Sequence, residues 1–179
     1  MKKFLSISAL IALFSLPSLA VPFMLDNAQS KVDFTIKHLQ LKNVDGKFEK
    51  FNADIDFDPS AKKLNKLIGE VEVASVNTAN TGRDDHLRAN DIFDSAKYPK
   101  MTFVMTKCEK GKISGNLTIK GVTKPVSFDA KKEFDGKMLK INAQTQIKRS
   151  DFGVVWESNL KDSLVSDELT IKLNITAKQ

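Results

Sequence analysis

The sequence predicts an all-β fold with one short helix, closed as an eight-stranded antiparallel barrel. Three observations carry that reading. Apolar and polar residues alternate with the strand period of two through about eight runs. Turn-forming residues stand between successive runs. One stretch, residues 80–97, lacks the alternation and is rich in polar residues.

In chain order the runs are as follows. Val32, Phe34 and Ile36 alternate with Lys31, Asp33, Thr35 and Lys37. Ala53, Ile55 and Phe57 alternate with aspartates, and Val71 and Val73 with glutamates. Met101, Phe103 and Met105 make the next oily face, then Leu117 with Ile119, and Val126 with Phe128. Leu139, Ile141, Ala143 and Ile147 follow, and Leu169, Ile171, Leu173 and Ile175 end the series. Asp45-Gly46, Asp58-Pro59-Ser60, Lys120-Gly121 and Asp135-Gly136 read as turns, and Asp135-Gly136 has the composition of a type I′ hairpin. The apolar phase slips from even positions at Val44 and Phe48 to odd positions at Phe51 and Ala53, so a bulge or bend is expected near Glu49 to Phe51. In the polar stretch, Thr81 or Gly82 is placed to cap a short helix through Ala89, with Asp84 and Asp85 in its first turn. Every run being two-faced and joined by short turns favours a closed barrel over a sandwich, because closure removes exposed sheet edges.

Residues 1–20 read as an export signal. Lys2 and Lys3 precede an apolar run from Phe4 to Leu16, Pro17 breaks it, and cleavage is expected after Ala20. The remaining residues, 21–179, form one domain, expected in the periplasm or outside the cell. The chain carries 28 Lys and Arg against 22 Asp and Glu, a net charge of +6, with both signs interleaved. Interleaving suits solvated strand faces and argues against a nucleic-acid stripe, while leaving room for peripheral contact with anionic head groups. Cys108 is the one cysteine, which excludes an internal disulfide. One cysteine and two histidines do not make a zinc set, and no cofactor is expected. The chain has no Gly-x-Ser-x-Gly, P-loop, His-Glu-x-x-His or Gly-x-Gly-x-x-Gly motif.

The inward face of the first long strand reads Val32, Phe34, Ile36, His38. A histidine in that phase is either bonded within the protein or offered to the polar end of a ligand, and period alone favours the first. Arg83, Asp84 and His86 are the densest ionisable cluster near a barrel rim: Arg83 and Arg88 could meet a phosphate or carboxylate, with Asp84 orienting His86. A helix-capping network explains them equally well. The candidate apolar lining is Phe34, Ile36, Phe48, Val71, Val73, Phe93, Met101, Phe103 and Phe128. An eight-strand barrel either fills with such side chains or holds one small ligand.

Several pieces then match a known pattern in order and spacing. They are Ser30-x-Val32-x-Phe34-x-Ile36-x-His38, Asn77-Thr78-x-x-x-x-Arg83-Asp84-x-His86-Leu87, Asp91-Ile92-Phe93-Asp94, the run from Gly115 to Val126, and Arg149-x-Asp151-Phe152-Gly153. Through these the chain resembles the YceI-like family of bacterial periplasmic or secreted proteins, described as lipocalin-like and polyisoprenoid-binding. The resemblance spans essentially all of residues 21–179. It implies a lipocalin-like barrel with a helix over one end and a long isoprenoid or acyl ligand along its axis. It also implies a site for the ligand's polar end near His38 and the Arg83–His86 segment. The ligand class would be a polyisoprenoid, an isoprenoid quinone or a fatty-acid derivative, held for transport, storage or sequestration in the cell envelope. The rival reading is an enzyme or stress factor acting on a bound lipid or quinone, with His38 or His86 as acid/base. The loop from Val154 to Asp162, with Trp156, matches nothing in the pattern. A homodimer is left open.

Overall fold

The computed structural model describes residues 21–39, 41–155 and 164–179. The expected signal segment and Trp156 lie outside them. β1 (Val21–Leu25) and β2 (Lys31–His38) form one long interrupted strand along the same edge of the last strand, β11 (Val165–Lys178). Leu25 pairs with Ala177, and Val32 with Leu173. β3 (Lys42–Phe48) and β4 (Phe51–Asp58) form the second long strand, pairing with β2 and β1 respectively. The break between them is Glu49–Lys50, where the apolar phase slips in the sequence. β5 (Lys63–Glu72) pairs with β4, then passes through a 3-10 turn at Val73–Ser75 into β6 (Val76–Asn77), which pairs with β3. β7 (Lys100–Glu109), β8 (Lys112–Ile119), β9 (Val122–Phe134) and β10 (Met138–Lys148) follow as an antiparallel meander to β11. Eight long strands therefore run in chain order and close last onto first.

The turns differ in detail from those expected. Lys120-Gly121 has φ of 49° and 77°, and Lys110-Gly111, not singled out in the sequence, has 49° and 75°. Two positive φ values are the type I′ signature. At the β9–β10 hairpin only Gly136 is positive, at 97°. There Asp135 sits one position earlier, and its Oδ1 accepts from the N–H of Lys137 (3.0 Å) and Met138 (2.7 Å). Asp45-Gly46 is no turn but the middle of β3. Glycine is needed there because a Cβ would lie 2.2 Å from Cζ of Phe34 on the paired strand. Asp58 does end β4, with its Oδ1 accepting from the N–H of Ser60 and Ala61.

The one α-helix among the described residues, α1 (Thr81–Arg88), lies in the β6–β7 connection. Its cap is Asn80, not Thr81 or Gly82: Asn80 is extended, and its side chain accepts from Arg83 N–H at 2.9 Å. Asn80→Ala should cost about 1 kcal/mol. Amide exchange should rise within residues 81–88 while the barrel strands stay protected.

The barrel has two unlike halves. Its lower end carries the β4–β5, β7–β8 and β9–β10 turns and is packed solid. Phe23, Phe57 and Phe134 meet with ring centroids 5.3–5.9 Å apart. Ile55, Leu64, Leu139 and Ala177 bury themselves around the rings. Outward positions carry surface ion pairs such as Lys100–Glu70 and Lys66–Asp54, each worth little singly. The upper end, with α1 and the β2–β3 and β8–β9 turns, is not filled.

Candidate functional site

A cavity of about 320 Å³ occupies the barrel above the aromatic layer of its lower end, reaching down to Ile175. That lies at the lower end of the range of about 300–1,000 Å³ typical of small-molecule sites. Its wall is built from the inward residues of the strands, because successive side chains on a strand point to opposite faces. Phe34, Ile36, Phe48, Val71, Phe93, Met101, Phe103 and Phe128, all expected as lining, are on it. Val73 is not. It falls in the 3-10 turn after β5, where the backbone leaves the strand, and is packed at 1% exposure.

Much of the wall comes from residues outside the predicted lining. Leu169, Ile171 and Leu173 of β11 line it, as do Leu87 and Ile92 around α1. The β11 residues carried their own signal, being the inward phase of the last alternating run. Gly69 of β5 also lines the cavity, paired between Ala53 and Phe103. A Cβ at Gly69 would meet nothing within 4 Å. By contrast the ring of Phe103 lies over Gly115, where a Cβ would come within 2.5 Å of it. Phe103 in turn meets Phe128 edge to face at 5.4 Å. Glycine thus has two uses here: it seats wall aromatics at positions 46 and 115, and leaves space at 69.

Polar groups gather at the upper end of this apolar wall. His38, Arg83, His86 and Arg149 all line the cavity. Arg83 is held by Thr78: Nε donates to the hydroxyl and Nη2 to the carbonyl, both at 2.8 Å. Nη1 donates to no protein group among the described residues. Asp84 does not line the cavity and does not orient His86. Its Oδ1 accepts from the N–H (2.9 Å) and hydroxyl (2.5 Å) of buried Thr78, which fixes the platform on which Arg83 rests. The partner of His86 is Asp91, with Nε2 2.9 Å from Oδ2. Arg88 is turned away, donating to the carbonyls of Ala74 and Val76 and to Asp85.

Arg149 is a further charged residue of the wall, outside the predicted set. It continues the inward phase of Ala143 and Ile147 and is only 4% exposed. Its guanidinium donates to the carbonyls of Ser166 (3.1 Å), Val154 (2.9 Å) and Val165 (3.0 Å), tying the end of β10 to the start of β11. Among the described residues no group of three His, Cys, Asp or Glu comes together as a metal site.

The hydrogen bond from His86 holds the Asp91 carboxyl below the ordinary aspartate range, against the opposing effect of burial. A lowered folded value means the pair's stabilisation is present above the unfolded value near pH 4 and is lost as the pH falls through the lower folded value. Amide protection of residues 86–94 should therefore fall on acidification below about pH 4. Asp91→Asn should remove that acid step, and an unchanged acid step in the variant would assign it to other carboxylates.

Comparison with known proteins gives a consistent set. Residues 23–177 match the model of the YceI-like domain. A UPF0312 protein of Staphylococcus aureus strain MSSA476 is 30% identical over 163 residues, 87% of this chain and 95% of that protein. Among solved structures, BcnA of Burkholderia cenocepacia superposes with a TM-score of 0.78 at 30% identity, covering 86% of this chain and 99% of BcnA. A Campylobacter jejuni YceI protein is 40% identical, with a TM-score of 0.71 over 80% of this chain and 89% of that one. A polyisoprenoid-binding domain from Saccharophagus degradans has a TM-score of 0.67 over 87% of this chain and 97% of that domain. At 14% identity that likeness is one of fold.

Proposed function

The chain belongs to the YceI-like family, and from that premise we propose that it binds one long apolar or amphiphilic molecule in its barrel, above the aromatic layer. The observation that carries the reading is the pairing of a largely apolar cavity with two arginines and two histidines at its upper end. A chain-like tail would lie against Phe34, Phe103 and Ile171, and a polar end would meet Arg83 Nη1, His38 and His86. Burial of about ten methylenes supplies roughly 8 kcal/mol gross, near micromolar affinity before ordering costs. No charged anchor is required for useful binding. A polyisoprenoid, an isoprenoid quinone and a fatty-acid derivative all suit the wall, and the polyisoprenoid-binding domain of the same fold supports the first. The role we assign is carriage, storage or sequestration of that molecule in the cell envelope, in keeping with the export signal read from residues 1–20.

Native mass spectrometry of protein purified from its own host tests this. An apolar molecule should travel with the protein and be exchangeable for added polyprenyl or acyl compounds. Absence of both a co-purifying molecule and uptake of the added compounds would remove the binding reading. A second check concerns the polar end. Arg83→Met should weaken binding of an acyl chain bearing a carboxylate or phosphate by about tenfold, the loss of one charge-assisted hydrogen bond. It should leave a chain of equal length ending in a methyl group unaffected.

A further inference from the structure

We infer that the upper rim of the barrel docks on an anionic phospholipid bilayer, with the β2–β3 tip entering the head-group layer. This deepens the binding reading and rests on it, since it names where the cargo is exchanged. Among the described residues six large apolar side chains are exposed, and four of them, Leu39, Leu41, Val155 and Leu164, stand at the upper end. Leu41 is 93% exposed and Leu39 50%. Apolar surface gathered at one end of a molecule marks an interaction site, whereas single scattered residues do not.

The rim is continuous with the lumen. Leu39 follows His38, Leu164 precedes Val165 and Val155 follows Val154, and the second member of each pair lines the cavity. Leu39 also adopts a left-handed φ of 54°, rare for a bulky side chain, and is held there by its N–H donating to the carbonyl of Leu164 at 2.6 Å. The backbone therefore keeps the two leucines of β2–β3 and β11 together at the tip. Exposed Lys37 and Lys42 flank the tip, and residues 37–44 contain no carboxylate. Leucines flanked by two lysines suit an anionic lipid surface, where the apolar groups enter and the cations meet phosphate. A cargo passing from such a surface into the barrel would leave one apolar phase directly for another.

The test is partition of the wild type and Leu41→Asp onto vesicles of phosphatidylcholine with phosphatidylglycerol, and of phosphatidylcholine alone. Both proteins are compared without added cargo and with the same N-terminus by intact mass. The wild type should prefer the anionic vesicles, and Leu41→Asp should bind them about tenfold less. In a Cys108→Ser background, an environment-sensitive fluorophore at Leu41→Cys should shift to the blue on those vesicles. The same label at Lys137→Cys, on the opposite end, should not. Equal partition of the two proteins, or equal shifts at the two ends, would overturn the inference. A concentration-dependent dimer abolished by Leu41→Asp would overturn it in favour of a second copy of this chain. Because partition is read without cargo, failure of the docking and failure of the binding reading are separate results: Leu41→Asp should still take up cargo in solution.

Discussion

Gly69→Leu should close the barrel to its cargo while leaving the fold intact. Gly69 is an inward residue of β5, between Ala53 and Phe103, and a Cβ there points into open space. Its backbone is not left-handed, so a side chain brings no strain. The four carbon atoms of leucine would stand where about four methylenes of cargo would lie, a loss of roughly 3 kcal/mol, or about a hundredfold in affinity. Stability should hold or rise, because glycine in a strand gives up more chain entropy than other residues and packs nothing. Uptake of a polyprenyl or acyl probe by native mass spectrometry and the melting temperature without cargo give the two readouts. A well-folded variant that still takes up cargo as the wild type does would place the cargo outside the lumen.

Much of the barrel was legible in the sequence because its signal is repeated. Each of the eight alternating runs carries the same period, and one oily face per run with short turns between them favours closure. The phase slip near Glu49 was readable for the same reason: it is a break in a regular pattern. What failed was what depends on a neighbour distant in sequence. Gly46 looked like half of a turn, since its role is to make room for Phe34 twelve residues earlier on the paired strand. Val73 kept the alternation but sits where the backbone turns out of β5. Asp84 stands two residues from His86, which suggests an orienting contact as readily as a capping one, yet two residues on a helix do not share a face. Asp91, beyond the helix end, reaches the imidazole instead. Arg149 shows in the sequence only as a cation in the inward phase, and its carbonyl partners at Ser166, Val154 and Val165 lie on segments that chain folding alone brings to it.

The division of the barrel into a packed end and an open end gives the second large effect. Phe57→Ala should cost about 3–5 kcal/mol of stability, the range for removing a buried aromatic ring. Phe57 is 1% exposed and touches both Phe23 and Phe134, with centroids at 5.6 and 5.3 Å, so its loss leaves two rings without their common neighbour. The surrounding wall is hydrogen-bonded sheet on both sides, pairing with Val21 on β1 and Leu64 on β5, which limits how far it can collapse into the gap. Phe23, Phe57, Leu64 and Phe134 do not line the cavity. Cargo uptake well below the lowered melting temperature should therefore survive in Phe57→Ala, the opposite pattern to Gly69→Leu. Urea unfolding measures the first effect and native mass spectrometry the second. A cost near 1 kcal/mol would mean the lower rings are loosely packed. Loss of uptake in a folded Phe57→Ala protein would mean that the cargo reaches through the aromatic layer to the lower end.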